Sequence, residues 1–172
     1  MTVQYASAAA IAMVSVIIQT TLFPFVSNAM FVDLLFVLVV IIGLFKDPVH
    51  GAIMTFALGY LADLAGSEVR GFHMTAYLSV FLIAQTIKDK VSPDTAGAQF
   101  TIGAGLATIY ILVKVLLHEV FTETEVFSVM VRGVSLILAG IVVNAAMVPL
   151  FYMIFRKVPG FMEVPKGPSI RR

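Results

Sequence analysis

The chain of 172 residues is 60% apolar and only 12% charged, with a formal net charge of +1 and a mean hydropathy of +1.01. Soluble domains sit near one half apolar and one quarter charged, so the composition excludes a water-soluble globule. The small net charge argues against a nucleic-acid module, and the absence of Cys excludes disulfides, thiolate chemistry and sulfur-ligated zinc.

At about 20 apolar residues per crossing, this length accommodates about six transmembrane helices and no separate soluble domain. The first predicted span runs from Tyr5 to Phe25; no basic side chain precedes Lys46, so it reads as a retained helix rather than a cleaved signal. The second runs from Met30 to Phe45 and the third from Val49 to Ala65. They are joined by Lys46-Asp47-Pro48, where Pro48 disfavours helix at Asp47 and predicts a tight hairpin. The fourth covers Gly71 to Ile87, the fifth Phe100 to Val120 and the sixth Phe127 to Phe155. A β-barrel would need alternating apolar and polar residues, which a run such as Leu34 to Leu44 lacks. The expected architecture is therefore all-α: a six-helix membrane bundle over residues 1–157 and a flexible basic tail over 158–172, broken by Pro159, Pro165 and Pro168.

Basic residues in the short connections set the orientation. Lys46, Lys88, Lys90, Arg156, Lys157, Lys166, Arg171 and Arg172 all fall on the side of the N-terminus, whereas the other side has Arg70 and the acidic Glu119, Glu123 and Glu125. Both termini are expected in the cytoplasm, with the tail held by anionic lipid.

Ionisable groups within a membrane require a physical reason. Asp33, Asp63, Lys114 and Arg132 all fall toward the outer leaflet. At 1.5 Å per residue, Lys114 and Arg132 lie under about 10 Å deep. Two readings stay open. In one, the cations snorkel and the aspartates merely flank their helices. In the other, the four form an interhelical network, with Arg132 bidentate on Asp63 or Asp33, that braces the bundle or receives a partner's polar group. The connection between the third and fourth spans holds Gly66, Glu68, Arg70, Gly71 and His73, with the glycines supplying tight turns. Ser67 with His73 lacks an orienting motif for hydrolysis, and His73 with Asp63 and Glu68 is a nonspecific metal set, so neither catalysis nor a metal or other cofactor is expected.

Helix contacts in lipid favour small side chains. Ala6 with Ala10 marks the first span, Gly103 with Ala107 the fifth, and Ser135 with Ala139, then Gly140 with Asn144, the sixth. Asn144 lies deep and needs a hydrogen-bond partner, expected from a neighbouring helix.

An ordered set of elements between Val32 and Lys90 resembles a known family. Asp33-Leu34-Leu35 leads an apolar helix; Gly43-Leu44, the Pro48 turn and Gly51-Ala52 follow; then come Gly59-Tyr60-Leu61-Ala62-Asp63, a Gly/Ser loop and Gly71-Phe72-His73. This arrangement, about a third of the chain, resembles MreD, the integral membrane subunit of the bacterial rod-shape system or elongasome. It departs from the family pattern at Val32, where Pro often precedes the Asp, and at Glu68-Val69-Arg70, where small and apolar residues are usual. The resemblance implies a non-enzymatic scaffold of the bacterial inner membrane. Such a scaffold binds the single-span protein MreC and, through it, connects MreB filaments with RodA and a class B penicillin-binding protein for peptidoglycan synthesis and cell shape. It requires no cofactor and no nucleic acid, and a homodimer is a further option. The architecture is also similar to the S components of energy-coupling-factor vitamin transporters. In that alternative, Asp33, Asp63, Lys114 and Arg132 line an outward solute cavity.

Overall fold

The computed structural model describes residues 33–66, 70–91, 93–121 and 134–157. They form five α-helices: α1 (Leu34–Phe45), α2 (Pro48–Gly66), α3 (Phe72–Ile87), α4 (Ala96–Phe121) and α5 (Val134–Phe155), with no strand among the described residues. These helices fall in the second to sixth predicted spans. The first span with Ala6 and Ala10, the loop residue Glu68, Arg132 and the tail lie outside the described residues.

Helix α1 is apolar on every side, and such a helix is stable only when surrounded. Every residue from Leu34 to Leu44 is buried, and α1 touches all four other helices. Its run Val37 to Ile42, β-branched at all but Leu38, is a modest helix former, so tertiary packing rather than propensity holds it. Asp33 starts it from an extended conformation, its carboxylate accepting from the Phe36 amide at 2.9 Å. Extended Lys46 ends it ahead of Asp47-Pro48. Gly43 fixes how close α3 can come: a Cβ there would lie 2.6 Å from the Ala84 Cβ.

Pro48 at the first position of α2 gives up no helical hydrogen bond, and Asp47 just before it accepts from the His50 amide at 3.0 Å. Gly51 faces the Phe81 ring, and a Cβ on Gly59 would run into the Met74 backbone, so α2 and α3 touch along nearly bare backbone.

Helix α4 begins at Ala96, four residues before the expected Phe100. Polar side chains extend it: Thr95 Oγ1 accepts from the Ala98 amide at 3.2 Å, and buried Gln99 donates to the Pro93 carbonyl at 2.8 Å. The α4/α5 contact centres on Gly103, where a Cβ would meet Val148 Cγ2 at 2.8 Å and the Ala145 carbonyl at 3.4 Å. Pro149 within α5 removes the amide that would ordinarily serve that carbonyl.

The two ends differ chemically. At one, Gln85 and Lys88 donate to the Lys46 carbonyl at 3.0 and 3.4 Å, and the Phe45 and Tyr152 rings meet at 5.1 Å, close to Arg156 and Lys157 in sequence. The other holds Asp63, Gly71, His73 and the C-terminal part of α4. Two helical stretches, Ala96–Phe121 and Ile137–Phe155, are long and apolar enough to cross a membrane. Only 28% and 22% of their most apolar windows is buried in the protein, whereas the core helix of a soluble protein hides most of its surface. Their outward faces carry Leu112, Leu116, Leu138, Val142, Leu150 and Ile154.

Candidate functional site

Asp33 is the hub of the polar chemistry. Being the N-cap of α1, it directs its carboxylate back over the helix start, where the Phe36 amide uses one lone pair of Oδ1. The Tyr77 hydroxyl of α3 donates to Oδ1 and Oδ2 at 2.9 and 3.0 Å, and the Tyr110 hydroxyl of α4 donates to Oδ2 at 2.5 Å. Tyr77 is fully buried and Tyr110 5% exposed, and hydroxyls in such places must find an acceptor. Hydrogen bonds to an ionised acceptor are short and about twice as strong as neutral ones. The backbone amide of Asp33 donates to Asn144 Oδ1 of α5 at 2.9 Å, and Asn144 Nδ2 donates to the Gly140 carbonyl at 2.9 Å. One residue thus ties together α1, α3, α4 and α5. The Tyr77 and Tyr110 rings stack at 5.7 Å, and Phe36 stacks on Tyr110 at 4.8 Å.

Asp63 solves a different problem. Gly71 is the N-cap of α3 with φ +87°, a left-handed conformation that glycine adopts without strain, but it has no side chain to satisfy the first amides of the helix. Asp63, from the end of α2, supplies the missing acceptor. Its carboxylate takes the amides of Gly71, His73 and Met74 at 2.9, 2.8 and 3.3 Å and meets His73 Nδ1 at 3.2 Å. The side chain is only 6% exposed.

His73 bridges the two aspartate sites, its ring edge-on to Phe72 at 5.4 Å and to Tyr77 at 5.9 Å. Lys114, one turn beyond Tyr110, sets its ammonium over the faces of Tyr110 and Phe72 at 5.1 and 5.8 Å from the ring centroids. Asp33, Asp63 and Lys114 therefore gather at one end of the bundle, but phenols, amides and aromatic faces, rather than direct ion pairs between them, make the connections. Arg132, the expected partner of either aspartate, lies outside the described residues.

Gly66 ends α2, Arg70 is exposed in the turn before α3, and Gly71 and His73 start α3. Among the described residues no three His, Asp or Glu side chains converge as a metal site. Gly103, Ala107, Gly140 and Asn144 are buried. Ser135 and Ala139, the other expected packing pair, are exposed on α5, away from buried Gly140 and Asn144. The reason is angular, because Ala139 and Gly140 are one residue apart and so about 100° apart around α5.

Tyr77 and Tyr110 were not among the predicted site residues, because an aromatic within an apolar run reads as core. Tyr110 did carry a signal, standing four residues before Lys114 on the same helical face. Comparison with protein-family models, with curated proteins and with solved structures finds no match.

Proposed function

We propose that the chain is a non-enzymatic scaffold of the MreD type. In this reading it crosses the bacterial inner membrane six times with both termini in the cytoplasm and holds a single-span partner of the MreC kind for the wall-synthesis machinery. Embedding in lipid is supported by the outward apolar faces of α4 and α5. Orientation is supported by the gathering of Lys46, Lys88 and the α5 end at one pole, the pole that the basic-residue rule assigns to the cytoplasm.

The observation that favours a scaffold over a solute-binding subunit is the closure of the Asp33 cluster. The twelve residues of α1 rise about 18 Å, so with Phe45 at the inner boundary of a core about 30 Å thick the helix starts about 10 Å below the outer one. A helix N-terminus at that depth is where a transporter receives an anionic solute. Here Asp33 fills the position with its own carboxylate and takes both tyrosine hydroxyls, so the groups suited to recognising a solute serve the bundle instead.

The test is purification from native membranes in mild detergent. Co-elution of a single-span protein with a large outer domain, together with rounding of rod-shaped cells on depletion, is the expected result. A stoichiometric small molecule in place of that protein, and normal rods with a vitamin requirement, would replace the scaffold with the transporter subunit.

A further inference from the structure

We propose that Lys114, Phe72 and Arg70 form a binding site for the phosphate of an anionic lipid in the outer leaflet. The inference rests on the membrane reading above but needs neither the scaffold role nor its partner. Lys114 lies eighteen residues into α4, about 27 Å from its start, so with Ala96 at the inner boundary of a core about 30 Å thick it stands just below the outer boundary. Its side chain is part-buried and its ammonium is seated over two aromatic faces, which fix its position while accepting no conventional hydrogen bond from it.

Among the described residues no carboxylate lies within ion-pair distance of Lys114. The acid of the neighbouring turn, Asp63, is already engaged by three amides and the His73 ring. Three ammonium protons are therefore held just below the level of lipid phosphates. Arg70, exposed two residues before Phe72 in the chain, is the second cation of the proposed site. A phosphodiester offers the acceptors that both cations require. Simple snorkelling would leave the ammonium in water with no preference among headgroups.

The protein in nonionic detergent is exchanged into mixed micelles containing phosphatidylglycerol or phosphatidylcholine, and retained lipid is counted by native mass spectrometry. The expected result is one phosphatidylglycerol per chain, preferred over phosphatidylcholine, with retention about tenfold weaker in Lys114→Gln, as for loss of one charge-assisted contact. Lys114→Arg should restore retention, and Lys88→Gln at the opposite pole should leave it unchanged. Equal retention in Lys114→Gln, or no headgroup preference, overturns the site. Displacement of the lipid by millimolar inorganic phosphate overturns the lipid assignment in favour of a soluble phosphate. Unchanged thermal unfolding of Lys114→Gln separates loss of the site from loss of the fold. A chain that stays in solution without detergent would defeat the membrane reading itself, an outcome distinct from all of these.

Discussion

Asp33 and Asp63 both cap the start of a helix with a carboxylate, yet they are held in opposite ways. Asp63 takes its donors from residues eight to eleven positions along the chain, mostly backbone amides. Asp33 takes its side-chain donors from residues 44 and 77 positions away, and its amide reaches a residue 111 positions away. The first closes a local turn. The second forms only when four helices have assembled, so it reports on tertiary structure and the first on secondary structure. If that contrast is right, loss of Asp33 should loosen the whole bundle while loss of Asp63 loosens one connection.

The largest effect is therefore expected for Asp33→Ala. Removing the carboxylate leaves two buried phenols and an amide without this acceptor, and at about 1–3 kcal/mol for each unsatisfied group the expected loss is about 3–5 kcal/mol. Asp33→Asn keeps an acceptor oxygen and should lose about half as much. Reversible unfolding in mixed detergent micelles measures both, and an alanine variant as stable as the parent would remove the hub.

Tyr77→Phe and Tyr110→Phe sharpen the point. Each deletes one hydroxyl while keeping the stacked rings, for an expected loss of about 1.5–3 kcal/mol. Because the two hydroxyls share Asp33 Oδ2, the double variant should lose measurably less or more than the sum. Strict additivity would mean that the tyrosines act independently and that the carboxylate does not couple them.

The same contrast explains what the sequence could reveal. Hydropathy and turn residues locate every described helix, because a long apolar run between charged connections has few other solutions. Asp33, Asp63, Gly71 and His73 were visible because ionisable or conformationally special residues stand out against an apolar background. Tyr77 and Tyr110 were not, since their role depends on which helices become neighbours, and no spacing within a single helix encodes that. The exposed Ser135 and Ala139 show the complementary limit: spacing shows that two small residues share a face, but not which way the face points.

Asp63→Ala should cost less than loss of Asp33, about 1–2 kcal/mol, the range for removing a helix cap. The effect should be local. Amide exchange should accelerate at Gly71, His73 and Met74 while the interior of α1 stays protected. Acceleration spreading into α1 would show that His73, which touches Tyr77, transmits the loss to the Asp33 hub and that the two sites are one cooperative unit.

The smallest effect belongs to a third aspartate at a helix start, the exposed Asp47 before α2. The His50 amide and then the His50 ring hold its carboxyl below the usual value of 3.8. A carboxyl whose pKa is lower folded than unfolded adds stability above its unfolded value, and that increment disappears as pH falls through the folded value. Stability of α2 should thus be flat from neutral pH to about 4 on this account and decline only below it, by under about 1 kcal/mol for so exposed a cap. Subtracting the acid profile of Asp47→Asn from that of the parent isolates this term. Because Asp47 stands in water at the pole opposite the hub, the difference should shrink at high salt. Water and salt do not reach Asp33's partner Tyr77 in the same way, since that phenol is fully buried. Salt sensitivity therefore separates a cap that water can replace from one that it cannot.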